Sequence, residues 1–197
     1  MLGRNISENE TMRMRMRSVG AMLVAAAIWS LTGLVSIGSA VAGDDVVLGE
    51  GKMSLIAPDG WVSKEPRTNI VEVEFEIPGV EDKAAGRLTI MAAGGSVEQN
   101  VERWEMQFVE GKDATVEMAE MGSVKIHLVD LAGTFKESSG GPLGRVTERP
   151  NYRMLGAILQ APGAPTYFIK LTGPAETLAA NEEAFKTFVK SVTTPEK

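Results

Sequence analysis

The chain has no cysteine and only one histidine, His127, among its 197 residues. The missing cysteines exclude disulfides, thiolate zinc centres, cysteine nucleophiles and lipid attachment at a cysteine after signal cleavage. With one histidine, no metal site can be built on several imidazoles, and any catalytic triad has to use His127. Basic residues are also in the minority. Lysine and arginine number 20 against 26 aspartates and glutamates, for a net charge of −6. A nucleic-acid partner needs a basic footprint, so that partner class is set aside. There is no internal repeat.

What is present is an ordinary globular composition, 44% hydrophobic and 23% charged, preceded by an address. Arg13, Arg15 and Arg17 form a positive cluster, residues 21–37 are mostly apolar, and Ala40-Val41-Ala42 is a small-x-small cleavage site. That order predicts a secretory signal peptide over residues 1–42, cleaved after Ala42, and a single domain over residues 43–197 in the periplasm or outside the cell. If uncleaved, the segment would be the only membrane contact. Cleavage removes Arg4, Arg13, Arg15, Arg17, Glu8 and Glu10, so the net charge passes from −6 to −8. Without disulfides, such a domain depends on its core.

Periodicity then orders the mature chain. Residues 43–51 read as a polar lead-in and 53–57 as a short strand, stopped by Pro58-Asp59-Gly60, with Trp61 folding back onto the core. Residues 63–69 read as a polar loop. Residues 70–77 alternate: Val71, Val73, Phe75 and Ile77 point one way, Glu72, Glu74 and Glu76 the other. Residues 87–92 pair with them antiparallel. Ser96 with Gln99 forms a capping box for a helix whose stripe is Val97, Val101, Trp104 and Phe108, with Gly111 as its stop. A strand is read at 114–121 and a stronger one at 124–131, continued by Thr134-Phe135. Residues 136–150, rich in glycine, serine and charge, read as a long flexible connection. Residues 152–160 and 167–172 form a hairpin. A terminal helix from about Glu176 to Val192 presents Phe185, Phe188, Val189 and Val192 on one face. Hairpin-linked strands carrying helices define an α+β fold.

Three segments in order carry a resemblance: Pro58-Asp59-Gly60-Trp61 after a strand, Asn100-Val101-Glu102-Arg103-Trp104 with Gln107-Phe108, and Phe168 to Pro174 ahead of a helix ending Phe188-Val189-Lys190-Ser191-Val192. Together they resemble the PsbP-like family, and within it a group of secreted bacterial proteins of unassigned function. The resemblance implies an antiparallel sheet between helices on both faces, and scaffold or binding roles rather than enzymatic ones. No functional residue is carried over, because the matching positions look like fold determinants. Three glutamates on one strand face imply that the strand overhangs the sheet or that one sheet face is thinly covered.

Candidate sites are few. His127 with Asp130 and a serine could be arranged as a hydrolase, but no Gly-x-Ser-x-Gly elbow is present and His127 sits on a strand. Glu72, Glu74 and Glu76 could attract a cation or a basic partner, although they lack the converging geometry of a calcium loop. Gly94-Gly95-Ser96 lacks the lysine of a phosphate loop. Arg145, Arg149, Tyr152 and Arg153, beside the glycine-rich connection, are the first choice for recognising a partner. Met118 and Met121 read as core filler rather than metal ligands. The expectation is a non-catalytic binding or accessory module of the cell envelope with a protein partner and no cofactor or metal. The alternatives are a small-ligand carrier with a pocket between sheet and helix, and a hydrolase using His127.

Overall fold

In a computed structural model, residues 43–109, 114–139 and 144–195 are described; all belong to the unit Ala40–Lys197. The expected signal segment 1–42, the Gly111 stop and the centre of the glycine-rich connection lie outside them. No described helix is long and apolar enough to cross a membrane.

Nine strands and two helices follow one another: β1 (Asp45–Leu48), β2 (Met53–Ile56), β3 (Val62–Lys64), β4 (Val73–Ile77), β5 (Gly86–Ala92), α1 (Val97–Glu105), β6 (Thr115–Met121), β7 (Val124–Ser139), β8 (Arg145–Gln160), β9 (Tyr167–Pro174) and α2 (Ala175–Lys190). β3 to β9 form one seven-stranded antiparallel sheet in the order β3-β4-β5-β9-β8-β7-β6, and β1-β2 is a separate hairpin. The α+β class and the pairing of β4 with β5 and of β8 with β9 are as expected.

Alternation along the strands separates two cores. Phe75, Ile77, Leu88, Ile90, Ile169 and Leu171 point to the face covered by α2 and the β1-β2 hairpin. All four apolar residues expected on the terminal helix are buried there. Trp61 folds back as expected, its ring 5.1 Å from Phe188 and 6.0 Å from Phe75. On the other face α1 lays Trp104, and the segment after it Phe108, which falls beyond the helix rather than on its stripe, against Val129, Leu131, Met154, Ile158 and Phe168. Ser96 and Gln99 form the capping box. The helix ends at Glu105, and its exit is tied to β7 by hydrogen bonds from Val109 N–H to Thr134 O (2.9 Å) and from Lys136 N–H to Gln107 O (2.7 Å).

Several expectations are corrected. Residues 136–150 are not a free loop: β7 and β8 continue as a paired ribbon out to Ser139 opposite Arg145. The cause is backbone pairing, which needs no apolar alternation, with a bulge at Gly133/Phe135 where Asn151 takes a left-handed conformation (φ 56°). The polar lead-in contains β1, whose Val46 and Leu48 are buried. The expected polar loop at 63–69 begins inside β3 (Val62–Lys64), which pairs with β4. Met118 and Met121 are exposed rather than core, because β6 is the outermost strand.

Candidate functional site: a polar cleft on the half-covered sheet face

A nine-residue helix cannot cover a seven-stranded sheet. One cross-strand row shows where the cover stops. In ladder order it reads Glu74 (β4), Thr89 (β5), Lys170 (β9), Gly156 (β8), Val129 (β7) and Val116 (β6). Trp104 sits on Gly156 so closely that a Cβ there would lie 2.5 Å from the indole ring. A methyl group would displace the ring, so glycine is needed for this approach. On the far side of the indole the row turns polar, and a cleft opens between α1 and strands β4, β5 and β9.

The cleft consists of neighbouring cavities of about 320 Å³ and 270 Å³ that share Arg87, Thr89, Gln107 and Lys170. A third, of about 440 Å³ and also reached by Arg87, runs along β3 and β4. The first has an apolar end at Met91, Trp104 and Phe168, and a polar end at Thr89, Gln107 and Lys170. Among the described residues, its charged lining side chains, Arg87, Arg103 and Lys170, are all cationic. Among the described residues, three of the four buried polar side chains are Glu74, Thr89 and Asn100, all at or beside this cleft.

Glu74, Asn100 and Lys170 are each held by a specific partner. Glu74 is 3% exposed and receives both Nε and Nη2 of Arg87 at 2.7 Å, with Arg67 Nε at 3.3 Å. The Arg87 hydrogen bonds, helped by Arg67 and opposed by burial, hold its carboxyl below the usual range. Asn100 donates to Ser96 O (2.8 Å) and accepts from Arg103 Nη1 (2.9 Å), which fixes that guanidinium at the rim. Lys170 is half-buried, and its ammonium donates to Gln107 Oε1 at 3.1 Å. Burial, and secondarily the charge of Arg87, push Lys170 down to about 8.

Two expected outcomes follow. Glu74→Gln removes the charge that two arginines converge on and should cost about 1–3 kcal/mol. Because the folded carboxyl titrates below its unfolded value, this contribution is present at neutral pH. It is lost as pH falls through the folded value. Urea denaturation at pH 7 and at pH 3 checks this: the gap between wild type and variant should close in acid. Lys170→Met acts in the opposite direction. A buried ammonium is a cost, so the variant should be about 1–3 kcal/mol more stable at pH 7. The wild type recovers as pH rises from about 8 towards 10.5, where the unfolded lysine also loses its proton. A variant less stable than wild type at pH 7 would show that the lysine is part of the packing.

The sequence-predicted residues are distributed differently from expectation. The three glutamates do not share one wet face. β4 begins at Val73, and Glu72 accepts from the hydroxyl of Tyr167 (3.2 Å), a residue of the opposite core. Glu74 is buried, and exposed Glu76 pairs with Lys64 at 3.4 Å. Arg145, Arg149, Tyr152 and Arg153 do not form one cluster either. Arg153 joins Asp130 and, at 2.8 Å, Glu182 on α2, which raises its pKa chiefly through Asp130. Arg149 pairs with Glu137 at 2.9 Å. Tyr152 stacks on Phe135 with ring centroids 6.1 Å apart and lines the cleft. Arg145 is exposed near the described end of the hairpin. The unbroken β7 ladder turns His127 and Asp130 to opposite faces, and His127 meets Gln160 at 3.3 Å. The two therefore cannot act as a catalytic pair.

The cleft residues Arg87, Thr89 and Lys170 were missed in the sequence, although a signal was there. Lys170 interrupts the apolar strand Tyr167-Phe168-Ile169-Lys170-Leu171, and Arg87 and Thr89 alternate with the core residues Leu88 and Ile90.

No family model and no curated protein matches this sequence. Among solved structures, it is similar to cyanobacterial PsbP (CyanoP) from Synechocystis sp. PCC 6803, with 12% identity, a TM-score of 0.50, and coverage of 80% of this chain and 96% of that one. It is also similar to LpqN of Mycobacterium tuberculosis, described as involved in cell envelope biogenesis, with 11% identity, a TM-score of 0.45, and coverage of 77% and 90%. The fold is PsbP-like: an antiparallel sheet with helices packed on both faces.

Proposed function

We propose that this protein is a non-catalytic, extracytoplasmic binding module of the cell envelope, and that it recognises its partner, an envelope protein, at the cleft beside α1. One observation carries this reading. The buried polar side chains Glu74, Thr89 and Asn100 and the desolvated Lys170 gather where a fold of this kind would otherwise continue its apolar core. Local departures from core rules of this sort are where function is expected. Tyr152 on the hairpin and Glu76 on β4 border the cleft and are proposed as outer contacts, with Arg149, paired to the lining residue Glu137, and Arg145 further along the hairpin. Glu72, Glu74 and Arg153, engaged internally, would support the surface rather than touch the partner. The extracytoplasmic location rests on the signal pattern of residues 1–42. A second reading, a small-ligand carrier, is favoured by the size of the cavity at Lys170, about 320 Å³.

Affinity capture of the tagged mature protein from its own cell envelope, with amine cross-linking at low and high salt, tests the proposal. The expected result is a stoichiometric partner cross-linked through Lys64 or Lys136, beside the cleft. Cross-links confined to Lys186 and Lys190 on α2 would move the surface to the other face.

A further inference from the structure

We infer that the cleft takes a small organic anion, its carboxylate on Lys170 and Thr89 and its apolar body against Trp104, Phe168 and Met91. This rests on the reading of the cleft as the recognition surface and names the chemistry that it would recognise. The argument begins with charge. In a chain of net charge −6, the described residues lining the first cavity include three cationic side chains and no carboxylate. Arg87 is already committed to Glu74, and Arg103 is tied to Asn100. Among the described residues, Lys170 meets only a neutral amide, Gln107 Oε1, at 3.1 Å, with no carboxylate paired to it. Glu137, in the adjoining cavity, is paired with Arg149.

The second argument is shape. Thr89 lies directly across the ladder from Lys170, so a threonine and a lysine from neighbouring strands line the same cavity. A carboxylate has two oxygens to satisfy both. The next cross-strand pair on this face is Met91 with Phe168, and Trp104 stands edge-on to Phe168 with centroids 6.2 Å apart. The cavity therefore runs from a cationic end to an aromatic end, and its size of about 320 Å³ suits one ring with a short tether. Charge-assisted hydrogen bonds at one end and apolar burial at the other fix the ligand's direction.

The test is an NMR titration of the protein with 3-phenylpropionate and with the neutral 3-phenylpropionamide, followed at the Trp104 indole and the Thr89 amide. The expected result is saturable binding of the acid with a Kd near or below about 1 mM, and binding of the amide at least about tenfold weaker, a difference of about 1.4 kcal/mol. Lys170→Met should weaken acid binding by a similar factor, while Lys125→Met, at an exposed position of β7, leaves it unchanged. Equal binding of acid and amide to the wild type would overturn the inference, as would unsaturable shifts or an affinity indifferent to Lys170→Met. The acid-amide comparison needs no variant, so it stands even if Lys170→Met folds poorly. Failure here combined with capture of an envelope partner through Lys64 or Lys136 removes the anion and keeps the module. Selective acid binding with an empty capture keeps the anion and replaces the module by a carrier.

Discussion

Trp104→Ala should destabilise the protein by about 3–5 kcal/mol, the range for large aromatic truncations in cores. The indole is 7% exposed, rests on the Cα of Gly156 and meets Phe168 edge-on. Nothing nearby can fill the gap, because glycine has no side chain and β8 and β9 are fixed by their ladder. The capping box and the links from residues 107 and 109 to β7 would still hold both ends of α1. The fold should therefore survive with a weakened helix and a widened cleft. Denaturant unfolding gives the size of the loss, and hydrogen exchange should show it concentrated in residues 97–105. A loss below about 1 kcal/mol would mean that α1 is not anchored through this ring.

Phe188→Ala should cost a similar amount, about 3–5 kcal/mol, with a different distribution. Phe188 is fully buried on α2 and forms the edge contact with Trp61 at 5.1 Å. It belongs to the larger core, which joins α2, the β1-β2 hairpin and the sheet. Its removal should loosen the hairpin as well, because Ser54 and Thr193 exchange backbone hydrogen bonds just beyond α2. Exchange should then accelerate in residues 45–56 and 185–192 and leave 97–105 largely protected. The two cores lie on opposite faces of one sheet and share few side chains, so the two costs should be nearly additive. Strong coupling in the double variant would contradict the separation of the cores.

Much of this fold was legible because its strongest elements carry periodicity. The stripe on α2, the capping box at Ser96 and the alternation in β5 leave a pattern, and β8 and β9, buried on both faces, leave apolar runs. β1 was missed because two buried residues, Val46 and Leu48, in a four-residue strand are too few to make a period. The outer half of the β7-β8 ribbon was missed for a different reason. Residues 145–151 are all exposed, so their order comes from the backbone ladder and not from an apolar face. The glutamate alternation has the right phase for Glu74 and Glu76 and the right environment for exposed Glu76, but not for buried Glu74. The face was indeed thinly covered, yet Arg87 on the next strand reached across to enclose Glu74. The cleft itself needed the sheet order, since Thr89 and Lys170 are far apart in sequence and become neighbours only when β5 pairs with β9.

The most direct measurement is the titration of the Lys170 side chain, followed by NMR at its Cε and Nζ. If Lys170 is the desolvated floor of a cationic cleft, its pKa is about 8. It should then rise when 3-phenylpropionate is bound, because the anion favours the charged ammonium. A value in the ordinary lysine range, near 10.5, unmoved by the ligand, would mean that water already solvates the ammonium, and the cleft could not be the recognition surface described here.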